Sequence, residues 1–196
     1  MVGCCAMHLA MRFESVGGTR FSSDWSKPPP ELWRREIGHG WSSFIAVGDY
    51  LSTQEQRGSH EVVTCYRAAT GEEVWTNKVV ALFEDAMGPG PRPTPTFDQG
   101  KLYTQGATGL LQCLDAATGG RLWQRDLRQD AGCKTPRYGF AGSPLVLGEL
   151  VVVFTGGPEG KGAIAYHRAS GDISTTPSHT RATVMATTTS ASRASA

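Results

Sequence analysis

No run of 18 or more apolar residues occurs anywhere in the chain, so a helix able to span a bilayer is not encoded. Charge of one sign is lacking too: 19 Lys and Arg stand against 18 Asp and Glu, a formal net charge of +1. That balance gives no electrostatic ground for a nucleic acid or an anionic membrane as partner. The five cysteines (Cys4, Cys5, Cys65, Cys113, Cys133) are odd in number and contain no Cys-x-x-Cys pair. A disulfide framework and a structural zinc site are both disfavoured, and Cys65 and Cys113 read as small apolar filler. His8, His39, His60, His167 and His179 include no pair four residues apart, so no metal site is expected. Ser143, in Gly-Ser-Pro, lacks the nucleophile elbow of a serine hydrolase. Met1 to Met11 is mildly apolar but has no basic leader and contains His8, a poor secretory signal. Either the protein is not exported or its true N-terminus lies elsewhere; the compartment stays open.

What the chain does have is turn residues and a repeat. Gly 24 and Pro 11 among 196 residues point to many short strands joined by tight turns. The segment Cys65 to Trp75 and the segment Cys113 to Trp123 share their Cys, their Ala-Ala-Thr-Gly and their Trp at an offset of 48 residues. A third copy, Ala165 to Gly171, follows 52 residues on, and Trp33 precedes Trp75 by 42. Internal repeats of this length mark solenoids and propellers.

Each copy has the physics of strand, turn and strand. Glu61 to Tyr66 and Gly109 to Leu114 are β-prone runs. Gly71, Gly119 and Gly171 supply the positive φ of a turn, with Thr70, Thr118 and Asp115 able to bond nearby amides. Trp33, Trp75 and Trp123 are rigid and large enough to fasten one repeat to the next. Further hairpins are expected around Gly48-Asp49, Asp98-Gln99-Gly100 and Gly148-Glu149. The sole helical signal is a single turn at Phe83 to Met87.

The expected fold is therefore all-β: a partial β-propeller of four-stranded antiparallel blades. Leu32 to Ile37 would be the outer strand of one blade, followed by two complete blades and three strands of another. That amounts to about 2.5–3 blades of a ring of about 7–8. Residues 1–23 match no strand and are expected to be disordered; residues 24–171 carry the repeats. From 172 to 196 the repeat is replaced by a Thr/Ser/Ala-rich stretch, expected to be disordered. Its abrupt onset in mid-blade fits a truncated or frame-shifted reading frame better than a designed linker. Open blade edges would favour self-association or the remaining blades of a longer protein as partner.

The Ala-Ala-Thr-Gly-x-x-x-Trp string after Cys-Leu-Asp resembles the repeat of pyrroloquinoline-quinone (PQQ)-binding-like β-propellers, the superfamily similar to quinoprotein alcohol dehydrogenases. The resemblance covers Asp24 to Gly171. Only Asp115 keeps the acid before Ala-Ala-Thr-Gly; Arg67 and Arg168 replace it. Members with activity imply PQQ, calcium, an Asp base and a vicinal disulfide. Here the vicinal Cys4-Cys5 lies outside the repeats, and no calcium or base position carries over. A scaffold without its own catalytic site is the favoured function, with no cofactor in this chain; the alternative is part of a quinoprotein alcohol or sugar dehydrogenase. The superfamily also implies an exported, periplasmic protein.

Chemistry-bearing candidates are few. Glu55 and Arg57 suit either a ligand-facing blade surface or, preferably, a solvated hairpin. Gly156 to Gly162 lacks the spacing and the Ser/Thr of a phosphate loop and reads as a strand connection. Trp41 could line a pocket, and Arg92 and Arg137 could face a central channel.

Overall fold

The computed structural model describes Ser26 and residues 30–174. Alternating β-prone runs separated by glycine turns fold into antiparallel meanders. The first blade comprises β1 (Ile45–Val47), β2 (Tyr50–Arg57), β3 (His60–Arg67) and β4 (Glu73–Val80), hydrogen-bonded in that order. After a two-stranded hairpin, β5 (Glu84–Asp85) with β6 (Gly88–Pro89), the second blade follows. It consists of β7 (Thr96–Asp98), β8 (Lys101–Gln105), β9 (Leu110–Asp115) and β10 (Arg121–Asp126). A short helix, α1 (Leu127–Ala131), leads to a three-stranded sheet of β11 (Leu145–Leu147), β12 (Leu150–Phe154) and β13 (Ala163–His167). An isolated bridge between Tyr166 and Ile173 begins a fourth strand there. The chain is thus part of a propeller, and its sheets do not close into a ring among the described residues.

Strand alternation sends successive side chains to opposite neighbours. Val63 of β3 meets Leu102 and Leu114 between the first and second blades, flanked by Ile45, Trp75 and Ala116. The opposite faces of β8 and β9 send Tyr103, Leu111 and Cys113 towards Val151, Val153, Ile164 and Tyr166 of the third. Each fully buried side chain of this size contributes about 1.5–3 kcal/mol.

Three expectations need correction. Phe83 to Met87 holds no helical turn: Glu84–Asp85 and Gly88–Pro89 pair instead. The Asp85 carboxylate accepts from the Met87 amide at 2.8 Å, a local bond that competes with helix. Helix appears at Leu127–Ala131, where Asp126 caps the start and left-handed Gly132 (φ 66°) ends it. Its buried residues, Leu127 and Ala131, lie four apart on one face. Finally, Leu32 to Ile37 joins no ladder among the described residues, because no neighbouring strand stands beside it. Residues 1–23, the tail beyond Ser174 and Cys4-Cys5 lie outside the described residues.

Candidate functional site: the seams between blades

Trp33 lies over Gly71, Trp75 over Gly119 and Trp123 over Gly171, so that a methyl group on any of these glycines would collide with an indole ring. All three glycines have φ between 70° and 77°, the left-handed region. Each glycine thereby serves two needs, the turn and the flat seat for the neighbour's ring. The indole N–H groups donate to the carbonyls of Ala68 (2.7 Å), Ala116 (3.1 Å) and Arg168 (3.0 Å), repeating one geometry three times. Asp115 accepts from the amides of Ala117 and Thr118 and from the Thr118 hydroxyl, holding the turn under Trp75. In the first copy the Thr70 hydroxyl accepts from the Glu72 amide at 3.3 Å.

A second stitch runs where the innermost strands begin. The Ser43 amide donates to the Thr94 hydroxyl at 3.0 Å, and the Thr94 amide donates to the Ser143 hydroxyl at 3.0 Å. Ser143 is therefore a link between blades. The signal was present as a hydroxyl residue just before each inner strand, but only the fold shows what it bonds.

Glu55 is not on a solvated hairpin. It is fully buried, accepting from Tyr66 Oη (2.7 Å), Arg57 Nη2 (2.9 Å) and the Gly38 amide. Burial by itself would raise its pKa, but these donors outweigh it and hold the carboxyl below its usual range. The same bond helps push Tyr66 up to about 12, burial being the larger cause. Arg57 also reaches Glu73 at 3.0 Å, and Arg35 stacks over the Tyr66 ring at 5.2 Å. A comparable group closes the seam between the second and third blades. Arg125 pairs with Asp130 (2.7 Å) and lies over Tyr166, whose hydroxyl donates to Asp130 at 2.9 Å.

Between these lies Glu61, 4% exposed, its Oε1 accepting from the Ala107 amide at 2.9 Å across the seam. Burial pushes its pKa up to about 7, against the pull of that amide and of Arg92. Arg92 is held in the β5–β6 hairpin rather than facing open space. It pairs with Asp85 at 2.8 Å, donates to the Gly88 and Gly90 carbonyls, and stacks on Trp41 (5.8 Å) and Phe83 (5.1 Å). Trp41 is half exposed beside it, and Arg137 lies over the exposed Tyr138 ring. Gly156 to Gly162 connects β12 to β13, with the Thr155 and Gly156 amides both bonded to the Gly162 carbonyl.

A family model described as outer membrane protein assembly factor BamB matches residues 59–195. The chain belongs to this family. Quinohemoprotein alcohol dehydrogenase ADHIIG from Pseudomonas putida HK5 shares the fold, with 24% identity over 69% of this chain and a TM-score of 0.53. BamB from Moraxella catarrhalis does so at 18% identity over 72% of this chain, TM-score 0.51. Quinohemoprotein alcohol dehydrogenase from Comamonas testosteroni is similar at 22% identity over 71%, TM-score 0.50. This chain covers 20%, 41% and 20% of those three structures, respectively. No curated protein sequence matches it.

The PQQ and calcium that the repeat's resemblance implies would need acidic and amide ligands. Among the described residues, no three His, Cys, Asp or Glu side chains come together as metal ligands. The candidate acids already have partners: Asp85 binds Arg92, Asp98 binds Arg168, and Asp130 binds Arg125.

Proposed function

We propose that this chain is a segment of a PQQ-like repeat propeller that acts as a binding or assembly scaffold, without a catalytic site of its own. The observation that carries this reading is where its charged and apolar side chains go. Arg35, Arg57, Arg92, Arg125 and Arg168 are all committed to stitching strands and blades together. Large apolar side chains stand exposed in the connections instead: Trp41, Leu82, Met87 and Tyr138. Two close approaches set those connections side by side. Gly88 lies next to Trp41, and Gly139 next to Phe83. Exposed apolar groups gathered this way suit a protein partner better than a small polar substrate.

The test places a photo-cross-linking amino acid at Met87 or Tyr138, with Lys134 as the control position, in the producing cells. A discrete cross-linked species from Met87 and Tyr138 but not from Lys134 supports the scaffold. Equal labelling from all three positions counts against it. Dye-linked alcohol oxidation by the purified chain with added PQQ and Ca²⁺ overturns it in favour of a quinoprotein dehydrogenase.

A further inference from the structure

The two seams that flank the second blade are built on one plan but filled differently. Strand register identifies the equivalent positions. Ser52 opposes Cys65 as Tyr103 opposes Cys113, so Ser52 stands where the next blade has Tyr103. Likewise Ala116, which accepts the Trp75 indole N–H, stands where the next seam has Arg168, which accepts that of Trp123. Gly100 corresponds to Glu149, since their carbonyls receive the amides of Ala116 and Arg168 respectively. Val47, last in β1, corresponds to Asp98, last in β7.

Between the second and third blades these positions make a filled, closed seam. The Tyr103 ring packs 6.0 Å from Trp123 with its hydroxyl 3.5 Å from the Arg168 carbonyl, and it is fully buried. Over it, Arg168 binds Asp98 at 2.6 Å and Glu149 at 2.8 Å. Between the first and second blades every one of these groups is truncated: Tyr to Ser, Arg to Ala, Glu to Gly, and Asp to the uncharged Val. The result is a cleft of about 410 Å³ beside Trp75, lined by Ile45, Val47, Ser52, Cys65, Phe97 and Leu102 among others. That volume lies within the range of about 300–1,000 Å³ typical of small-molecule sites, and the wall is chiefly apolar with a few polar groups.

We infer that the cleft between the first and second blades is a binding site for a small neutral phenol, whose ring takes beside Trp75 the place that the Tyr103 ring takes beside Trp123. The chain itself shows that this seam architecture accommodates a phenol ring. Trp75 offers the ring a face, Leu102 and Phe97 the opposite wall, and the Ala116 carbonyl accepts from its hydroxyl as the Arg168 carbonyl does from that of Tyr103. The missing Arg168-like lid leaves the mouth open. An anion finds no cation among the lining residues named, and Asp115 at the rim disfavours it. No step of chemistry is required; the site binds.

The probe is p-cresol, which is the tyrosine side chain as a free molecule, titrated into the full chain while the assigned indole N–H resonances are followed by NMR. Saturable displacement of the Trp75 signal, with Trp123 unmoved, is the expected result. Toluene is expected to bind at least threefold more weakly, because it has no hydroxyl to donate to the Ala116 carbonyl. Ser52→Tyr fills the cleft from within, and p-cresol affinity should fall at least tenfold. Ala116→Arg, which places at the mouth the residue that closes the next seam, should also weaken binding. An unmoved Trp75 signal at millimolar p-cresol overturns the inference, as does undiminished binding by both variants. Toluene binding as tightly as p-cresol overturns the phenol assignment.

Discussion

Replacing Gly171 by Ala separates the two reasons a glycine sits under each tryptophan. Its φ of 77° costs an L-residue about 1–2 kcal/mol for the left-handed conformation alone. The added methyl would also meet Cδ2 of Trp123 at 2.7 Å, so the indole must shift. Trp123 is 9% exposed, packs on Tyr103, and donates to the Arg168 carbonyl at 3.0 Å. Losing that hydrogen bond adds about 1 kcal/mol, and loosening the ring's packing about 1 kcal/mol more. The total is about 3–4 kcal/mol. Gly148→Ala in the same sheet is the control, because its φ is 56° but nothing lies within 4 Å of the new methyl. It should cost only the conformational part, about 1–2 kcal/mol. Equilibrium urea unfolding of both variants, followed by tryptophan fluorescence at constant m, measures the difference. Equal losses for the two variants would refute the docking argument.

Glu61→Gln tests the buried acid. Its folded pKa of about 7 lies above the ordinary glutamate value of 4.5, so its stabilising contribution is full below the unfolded pKa. That contribution fades as pH rises through about 7, up to about 3 kcal/mol in all. The wild type should lose stability between pH 5 and pH 8 relative to Glu61→Gln; parallel melting curves would contradict the burial argument. Glu55 has the opposite sign. Its lowered pKa gives stability above the unfolded pKa that is lost as pH falls. Glu55→Ala leaves Arg57 with Glu73 but strips the Tyr66 hydroxyl and the Gly38 amide of their acceptor, and should cost about 2–4 kcal/mol at neutral pH in chemical denaturation. A loss under 1 kcal/mol would mean that the network contributes little.

The turn strings and the tryptophans were legible because their signals are local. Ala-Ala-Thr-Gly needs only its own backbone to make a turn, and alternation over six residues needs only a strand. The Trp-to-Gly pairing was half visible: a rigid ring in every copy pointed to a fastener, while the seat it occupies lies 38 to 48 residues further on. Glu55 was misjudged because a strand end at Gln-Arg-Gly looks solvated in sequence. Burial came from Gly38, whose amide reaches it, and from Tyr66, against which Phe44 packs. The helix at Leu127–Ala131 was missed because five residues carry too little periodicity to compete with the strand before them.

By itself the sequence determined the repeat, the antiparallel strands, the turns and the partial propeller. Those depend on spacing and on residues close in the chain. Only the tertiary structure decided which side chains face each other across a seam, and it did so through hairpin length. Eight residues separate paired Gln54 and Val63, but only five separate paired Gln105 and Leu111. A constant offset of 48 therefore sets Tyr103 against Glu55, whereas the register sets it against Ser52. That three-residue difference puts Ser52, and not Glu55, in the cleft beside Trp75. Strand register is set by hydrogen bonding and packing between segments, and the distance along the chain does not specify it.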